Sequence, residues 1–329
     1  MVYLPFIYGS LSLIFSLLLI PIFKKIAVNA GIVDMPDGRV KLHTTPTPYL
    51  GGVAIFLVIA CMLILLRSKY DFSLLNGCGL GLAILTLVGF IDDAFVITPL
   101  QKSAGQGLAA FLFIYSGYYL RSPYLSPVVA QAFSFLWFVF VSNALNLVDI
   151  MDGLATLITL LALIFFGVLA YTMQEPSMVI LISIVIGAVL GFIYYNKPRA
   201  TIYLGDSGSL FLGGFLGLLP FLLSVQHQSN GYIFFISAVV LGVPLGEASL
   251  LIIIRTYKKI PFYQASPHHF KSYLVEKKWN EWQILAIVFC ISTLLGLVAH
   301  GSFFQWFSPC ATISQLALLL FSVVFIIYK

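Results

Sequence analysis

Amide and carboxylate side chains recur at three-residue intervals in the segment SNALNLVDIMDGLA, residues 142–155. They belong to Asn143, Asn146, Asp149 and Asp152. Their oxygens suit a hard cation such as Mg²⁺, and their hydrogen-bonding groups suit a polar, phosphate-bearing substrate. On an α-helix each neighbouring pair shares a face, but the whole row rotates by about 180°. The four side chains therefore converge only if the helix tightens or ends here, which Gly153 would permit.

A second acidic pair ends another apolar stretch, in GFIDDAFVITPLQK. Asp92 and Asp93 are adjacent, so on a helix they point about 100° apart and cannot serve one ligand position equally. Two different roles are therefore expected. Repulsion between the carboxylates would raise the proton affinity of one of them unless a cation or a lysine intervenes. Lys102 follows in the same stretch and would bind a phosphate as a compact positive charge.

A third polar stretch, YYNKPRATIYLGDSGSLFLGG, places Asp206 in Gly-Asp-Ser-Gly, where small residues expose backbone amides to an anion. Asn196 and Tyr203 precede it, and Tyr203 offers an aromatic face. The alternative interpretation is a helix cap with close glycine packing, since Asp and Ser are common caps. The same alternative applies to any single Asp of residues 142–155, but four polar groups in register favour a functional site there.

Two longer loops carry further groups that could bind phosphate or sugar. The first contains Lys41 and His43 among prolines and glycines, and an ordinary basic loop is its alternative interpretation. The second contains the adjacent His268 and His269, followed by Lys271. Adjacent histidines could bind a metal, but carboxylates are abundant elsewhere in the chain, so we expect these residues to contact phosphate or sugar.

The elements that must position these groups are membrane helices. Of the 329 residues, 60% are apolar and 9% charged, and the mean hydropathy is +1.04, whereas roughly a quarter of residues are charged in soluble domains. A span needs about 20 mostly apolar residues, so we predict an all-α polytopic bundle of 10–11 transmembrane helices, one domain over residues 1–329. Glu247 lies inside one predicted span and is either functional or paired with a neighbouring helix. The candidate spans are centred near residues 13, 58, 82, 112, 137, 163, 186, 217, 243, 293 and 319.

Basic residues determine the predicted orientation. If the N-terminus lies outside, 14 of the 17 Lys and Arg residues fall on the inner side, as expected for the cytoplasmic face. The acidic segments described above then lie on that same face. The first span lacks a basic region before its apolar run, which indicates a retained anchor. The net charge of +5 is thus mainly a signature of topology, and no nucleic-acid partner is expected.

Taken together, these segments resemble the polyprenyl-phosphate N-acetylhexosamine-1-phosphate transferase superfamily, which includes MraY-like and WecA-like enzymes. The matching stretches occur in the family's order over residues 34–270. They are DMPDGRVKLHTTPTPYLGG, GFIDDAFVITPLQK, NALNLVDIMDGLA, YYNKPRATIYLGDSGSLFLGG and, less well, PFYQASPHHF. The resemblance implies an enzyme of the bacterial cytoplasmic membrane, with its active site on the cytoplasmic face. Such an enzyme transfers a sugar 1-phosphate from a UDP-sugar to a polyprenyl phosphate lipid and releases UMP, with Mg²⁺, or alternatively Mn²⁺, as cofactor.

The same resemblance implies roles for individual residues. Asp206 would be a metal ligand together with Asp93 and Asp152, Asp92 or Asp93 would prepare the lipid phosphate for attack, and Lys102 would hold phosphate. The residues implied for the nucleotide-sugar site are Asn143, Asn146, Asp149, Asp152, Asn196, Tyr203, His268 and His269. The residues implied for the lipid phosphate and its loop are Lys41, His43 and Lys271. A homodimer is compatible with this assignment.

Two features bear on the branch of the superfamily. The stretch PDGRVKLH and an eleventh span look like the WecA-type branch, which handles N-acetylglucosamine 1-phosphate. Members of that branch tend to carry His-x-His-His in the last motif. If His268 is aligned with the first histidine of that motif, Lys271 takes the place of the last one. UDP-GlcNAc is therefore the expected donor. The alternatives are a phospho-N-acetylmuramoyl-pentapeptide transferase and a paralogue specific for another UDP-linked modified N-acetyl sugar.

Two other classes of protein are weaker interpretations. A CDP-alcohol phosphotransferase would share the Asp-Gly element at Asp152 and Gly153, but it requires Ala-Arg soon after its first Asp-Gly, and here LATLITLL follows. A secondary transporter would use buried acids as an ion path. Transporters usually place such groups at the midplane and often contain repeats, whereas the acids here cluster at one predicted interface, and only Glu247 supports the transporter.

Overall fold

The structure is a computed structural model that describes residues 3–35, 46–70, 76–224, 230–261 and 267–304. These residues form α-helices joined by short connections, with one pair of two-residue antiparallel strands, β1 (Val33–Asp34) and β2 (Thr47–Pro48). The helices are α1 (Leu4–Ala30), α2 (Gly51–Leu66), α3 (Asn76–Phe95), α4 (Pro99–Tyr115), α5 (Pro127–Val148), α6 (Leu154–Thr172), α7 (Pro176–Asn196), α8 (Gly205–Ser224), α9 (Asn230–Val240), α10 (Gly242–Tyr257), α11 (Phe270–Glu276) and α12 (Glu281–Phe303).

The length and composition of seven of these helices would let them cross a membrane. The pair α9–α10, bent by 77°, makes an eighth if it is counted as one span. Helices α2 and α4 are shorter, with 16 and 17 residues. The predicted all-α membrane bundle is confirmed, and every predicted centre up to residue 293 falls within a helix. The count of 10–11 spans and the orientation stay predictions, since the last centre, near residue 319, lies outside the described residues.

Helix α8 is the axis of the bundle. Apart from Asp206, each of its residues is buried, and α2, α3, α5, α6 and α9 pack around it. A helix that is apolar all round requires such enclosure. The approach of α2 is especially close, because a Cβ atom on Gly52 would collide with the backbone of Gly208. Glycine at both positions lets the two helix backbones touch.

Helix ends that carry polar groups meet at one end of this bundle. The first turn of α8 contacts the last turns of α3 and α5 and the first turn of α4. Short local signals place these ends. Helix α4 begins with Pro99 after a capping box formed by Thr98 and Gln101, which satisfies otherwise unpaired amides. Helix α5 ends at Val148, and α6 begins after Gly153, whose φ of 76° only glycine adopts readily. The predicted break in the helix is therefore confirmed, but the helix ends at Val148, and Gly153 precedes the start of the next helix.

Candidate active site

The ammonium group of Lys102 lies at the centre of the polar cluster. Its Nζ is 3.1 Å from Asp92 Oδ2, forms an ion pair with Asp206, and donates to Asn146 Oδ1 over 3.3 Å. These partners come from α3, α8 and α5 respectively. The side chains of Lys102, Asp92 and Asp206 are 18%, 16% and 30% exposed, so the cluster opens to its surroundings. The lysine charge offsets the repulsion between the two carboxylates.

Asn146 fixes the carboxylate of Asp206. Its Nδ2 donates to Asp206 Oδ1 over 2.7 Å and to Ser209 Oγ over 2.9 Å. Its Oδ1 accepts from Lys102 at the same time. The amide therefore has one allowed orientation, with its oxygen toward the ammonium and its nitrogen toward the carboxylate. This orientation holds the Asp206 carboxylate, at the start of α8, and the Lys102 ammonium, on α4, at fixed positions.

Asp93 has a different partner from Asp92, as expected from their separation around the helix. Its Oδ1 accepts the Asp206 amide over 2.8 Å, and its Oδ2 accepts the Ser207 amide over 3.1 Å. Asp93 thus caps α8 from a different helix. Gly205 makes this approach possible, because its φ is 70° and a Cβ there would lie 2.6 Å from Asp93 Oδ2. Asp92 instead faces the lysine, and its Oδ1 accepts the amide of Ile97 over 2.9 Å.

Asn143 lies one turn before Asn146 and pairs with a residue that the sequence did not single out. Its Nδ2 donates to Gln106 Oε1 over 2.9 Å, and Gln106 Nε2 donates to Asn143 Oδ1 over 3.1 Å. The second Nδ2 hydrogen goes to Val139 O over 2.8 Å. Gln106 is 2% exposed and lies four residues after Lys102. This spacing puts both side chains on one face of α4, a signal that could have identified Gln106.

The segment between α5 and α6 concentrates negative charge beside this cluster. Asp149 is the C-terminal cap residue of α5. Burial raises the pKa of its carboxyl well above the ordinary value, and the charges of Asp206, Asp93 and Asp152 move that pKa in the same direction. Asp152 Oδ2 accepts the amide of Ala200 over 2.7 Å. Two acidic groups are therefore held close to the start of α8.

Asn196 ends α7 and holds the start of α6. Its Oδ1 accepts from the Gly153 amide over 3.1 Å and from Thr156 Oγ1 over 2.8 Å. Its Nδ2 donates to Ile202 O over 3.1 Å. Asn196 is 3% exposed, and these bonds are made within the chain. The structure thus gives it a positioning part in the acidic segment, while its predicted contact with a nucleotide stays a prediction.

Tyr203 lies beside a second aromatic residue on the connection to α2. Its ring centroid is 5.8 Å from that of Tyr49, with the planes tilted by 53°. Its amide donates to Pro48 O over 2.8 Å, and its carbonyl accepts from the Gly51 amide over 3.1 Å. Burial raises the pKa of Tyr203 and that of Tyr49, and Asp34 contributes to both shifts. No feature of the sequence singled out Tyr49.

The histidine segment, which comprises residues 268–271, contacts the acidic segment, residues 149–152, through Lys271. Lys271 Nζ donates to Ile150 O over 2.8 Å, and burial lowers its pKa. His269 Nδ1 lies 3.1 Å from Glu247 Oε1, which confirms that Glu247 pairs with a polar group outside its own helix. His268 Nε2 lies 3.1 Å from Lys258 Nζ, and burial, with the positive charges around it, lowers the pKa of His268.

Two of the predicted residues, Lys41 and His43, lie outside the described residues. Their assignment to the lipid phosphate and its loop stays a prediction. The other predicted site residues all lie at helix ends or in the connections between them, namely Asp92, Asp93, Lys102, Asn143, Asn146, Asp149, Asp152, Asn196, Tyr203, Asp206, His268, His269 and Lys271.

The donor set fits a hard divalent cation that is held partly by substrate. In the described part of the chain, no three His, Cys, Asp or Glu side chains form a ready-made ligand group, so the set Asp93, Asp152 and Asp206 stays a prediction. Mg²⁺ usually takes only one or two protein carboxylates together with substrate phosphates. Asp206, the one α8 residue that is not buried, offers a carboxylate for that arrangement. Asp93 already uses both oxygens on backbone amides.

Comparison with known proteins gives one family match. The model of Glycosyl transferase family 4 matches residues 75–224. This range runs from the start of α3 to the end of α8. It therefore contains Lys102 and every acidic residue discussed above except Asp34 and Glu247.

Individual relatives match over nearly the whole chain. A probable undecaprenyl-phosphate N-acetylglucosaminyl 1-phosphate transferase of Bacillus subtilis (strain 168) is 29% identical over 296 residues, which cover 88% of this chain and 82% of the relative. A phospho-N-acetylmuramoyl-pentapeptide-transferase of Clostridium novyi (strain NT) is 30% identical over 328 residues, which cover 92% and 96%. One of the same name from Staphylococcus epidermidis is 27% identical over 330 residues, covering 89% and 97%. The likeness thus extends to the parts of the chain outside residues 75–224.

Proposed function

Because the chain belongs to glycosyl transferase family 4, whose members are polyprenyl-phosphate sugar-1-phosphate transferases, we propose that it transfers N-acetylglucosamine 1-phosphate from UDP-GlcNAc to undecaprenyl phosphate. The products are undecaprenyl-diphosphate-N-acetylglucosamine and UMP. The reaction belongs to cell-envelope glycan synthesis, and the site faces the cytoplasm, where UDP-sugars are made. The excess of basic residues on the predicted inner side supports this orientation.

The arrangement around Lys102 is the observation that carries the proposal. The Lys102 ammonium lies between the carboxylates of Asp92 and Asp206, at the open end of the otherwise buried helix α8. The Asn146 amide holds the Asp206 carboxylate in place. Phosphoryl transfer brings anions together and depends mainly on positioning and on neutralising their charge. Lys102 supplies one fixed positive charge for this purpose. A cluster serving only to stabilise the bundle would not need a partly exposed carboxylate at Asp206.

The proposed step is a displacement at the phosphorus that carries the sugar. An oxygen of the lipid phosphate forms a bond to this β-phosphorus as its bond to the bridging oxygen breaks, and UMP leaves with that oxygen. When the lipid phosphate begins as a monoanion, its proton passes to Asp92, which lies beside Lys102. Lys102 holds the phosphate that accepts the sugar phosphate.

Other residues of the site would bind the nucleotide sugar. Asp149 and Asp152 line its pocket, Tyr203 stacks on the uracil ring, and the segment of His268 and His269 contacts the sugar. Asn143 and Asn146 border the same pocket, and Asn196 supports it through its hydrogen bonds to Gly153 and Thr156. Bound Mg²⁺, or Mn²⁺ in its place, would neutralise the diphosphate and stabilise the leaving UMP. Asp206 would hold it, with Asp93 and Asp152 as the further predicted ligands.

The second candidate donor is UDP-N-acetylmuramoyl-pentapeptide. Relatives named as phospho-N-acetylmuramoyl-pentapeptide-transferases are as similar to this chain as the N-acetylglucosaminyl relative, at 27–30% against 29% identity. Lys271 stands where WecA-type members tend to carry histidine, so the sugar end of the site is where the two candidates differ. Both candidates use the same phosphate chemistry at Lys102.

The test is turnover by the purified protein. Undecaprenyl phosphate, Mg²⁺ and either UDP-GlcNAc or UDP-N-acetylmuramoyl-pentapeptide are supplied, and UMP and the lipid product are measured by mass spectrometry. We expect UMP and a lipid-diphosphate-GlcNAc from the first donor, and none from an Asp206→Asn variant. Turnover of the pentapeptide donor alone would favour the second candidate. Turnover of neither donor by correctly folded protein would contradict the proposal.

A further inference from the structure

Glu247 is a buried carboxylate with two partners in the histidine segment. Its side chain is 5% exposed. One oxygen, Oε1, lies 3.1 Å from His269 Nδ1 and accepts the Phe270 amide over 3.2 Å. Both partners belong to the start of α11, whereas Glu247 belongs to α10. Glu247 therefore ties two separate helices together at the edge of the proposed site.

The chemistry of this contact fixes the histidine ring. A carboxylate only accepts hydrogen bonds, so a ring nitrogen at hydrogen-bond distance from it carries the hydrogen. The contact accordingly places a hydrogen on Nδ1 and leaves Nε2 as the other polar atom of the His269 ring. Carboxylates orient the metal-bound histidines of other proteins through this same contact. Removing such a supporting partner typically lowers binding or activity about 10–100-fold.

Burial of the Glu247 charge has to be offset by other groups, since an unpaired buried charge is very unfavourable. Arg255 lies two turns further along α10, is 3% exposed, and supplies an opposite charge that interacts with Glu247. Glu247 therefore interacts with Arg255 as well as with the two groups of the histidine segment.

The same segment is attached to the acidic residues on its other side. Lys271, two residues after His269, donates to Ile150 O over 2.8 Å. Ile150 lies between Asp149 and Asp152. Helix α10 in turn packs against α5, whose C-cap residue is Asp149. His269 is therefore held by the Glu247 carboxylate two residues before a lysine that contacts the acidic segment.

We propose that Glu247 is a positioning residue for nucleotide-sugar recognition, which presents Nε2 of His269 to the sugar of the donor and keeps the start of α11 against the acidic segment. This inference rests on the proposed function. It predicts that Glu247 affects the sugar end of the donor and not the uridine end. A buried carboxylate that only stabilises the fold would affect both ends equally.

The test compares binding of UDP and of UDP-GlcNAc to the purified full chain by calorimetry. Glu247→Leu should weaken UDP-GlcNAc binding about ten-fold and leave UDP binding within about two-fold. Glu247→Gln, which keeps an acceptor oxygen, should restore most of the loss. In a His269→Ala background, Glu247→Leu should have little further effect, because the two residues act together. The control is Glu175→Gln, which changes a buried carboxyl group at the other end of the bundle and should alter neither affinity.

Each outcome separates the inference from the proposed function. Wild-type protein that fails to bind UDP-GlcNAc contradicts the proposed function itself. Wild-type binding combined with equal losses for UDP and UDP-GlcNAc in Glu247→Leu would overturn the positioning role. If Glu247→Leu does not fold, nitrogen NMR of histidine-labelled wild-type protein decides the question, with His269→Gln used for assignment. A His269 ring that carries its hydrogen on Nε2 alone would overturn the inference.

Discussion

Asp93 and Asp206 are joined through the backbone, since the Asp93 carboxylate accepts the Asp206 amide over 2.8 Å. The adjacent Ser207 amide donates to the other oxygen. A carboxylate from one helix thus satisfies amides that the first turn of another helix leaves unpaired. The position of the Asp206 side chain depends on this cap, so Asp93 should matter for stability as well as for activity.

The Asp93 and Asp92 variants should differ in their main effect. In Asp93→Asn an amide donor faces a backbone donor, so we expect a loss of about 1–3 kcal/mol of stability as well as of activity. Asp92→Asn keeps an acceptor for Ile97 and should lose activity with a smaller change in stability. Thermal unfolding and UMP release, measured on both purified variants, check this. Equal stability of the two variants would contradict the capping role of Asp93.

Removal of the Lys102 charge should abolish turnover. In Lys102→Met, Asp92 and Asp206 face one another without a positive charge, so we expect UMP release to fall at least about 100-fold, the size of effect expected for a lost electrostatic contact in a reaction centre. Lys102→Arg is the matched control and should retain part of the activity, since it keeps the charge with altered geometry. Activity of the Met variant within two-fold of wild type would exclude Lys102 from the chemistry.

Loss of the Asn196 side chain should loosen the acidic segment. Asn196→Ala removes its bonds to Gly153, Thr156 and Ile202, and we expect about 1–3 kcal/mol of destabilisation because buried partners are left unpaired. Thr156→Val removes only one of these bonds and should cost less. Thermal unfolding of the single variants and of the double variant measures the coupling. Additive effects would mean that the two side chains do not act through their shared bond.

The stability of the chain should depend on the ionisation of Asp149. Its pKa is raised in the folded state, so the folded protein holds this proton more tightly than the unfolded chain does, and stability falls as pH rises above the unfolded pKa, about 4. In chelator, Asp149→Asn should therefore be more stable than wild type at neutral pH, and the difference should vanish near pH 4. A difference that is constant over this range would contradict the assignment.

Chelation should stop the reaction without unfolding the protein. The clustered carboxylates and the anionic substrates lead us to expect no UMP release in EDTA and full recovery with added Mg²⁺. The far-ultraviolet circular dichroism spectrum should be unchanged, because the helices are held by apolar packing. Full activity of metal-free protein would remove the ion from the proposed mechanism.

The sequence predicts the helices and the location of the acidic groups well, because both depend on local patterns. Long apolar stretches interrupted by polar residues place every centre up to residue 293. Helix geometry alone predicts that the adjacent Asp92 and Asp93 have different partners. A break in the helix near Gly153 is expected from the conformational freedom of glycine alone, although the helix ends at Val148 and Gly153 precedes the next one.

The sequence does not predict the partners that bring these groups together, because they depend on how distant helices pack. Gln106 and Asn143 are 37 residues apart, and Thr156 and Asn196 are 40 apart. No periodicity within one helix reports such a pairing. The sequence predicts one continuous span centred near residue 243, whereas the structure has two helices there, α9 and α10, with a bend of 77° between them. Gly242 and Pro244, which follow the break, are the signal for it, since glycine and proline weaken a continuous helix.

The enclosure of α8 has a consequence for how the protein adapts to different donors. A helix that is packed on all sides cannot rotate or shift without disturbing its neighbours. The position of Asp206 is therefore expected to stay the same whichever donor is bound. Adjustment must then come from the rim, where α11 is short and attached through individual side chains such as Glu247 and Lys271. We therefore expect that donor specificity can be changed by replacing residues of α11 and its contacts while α8 is left unaltered.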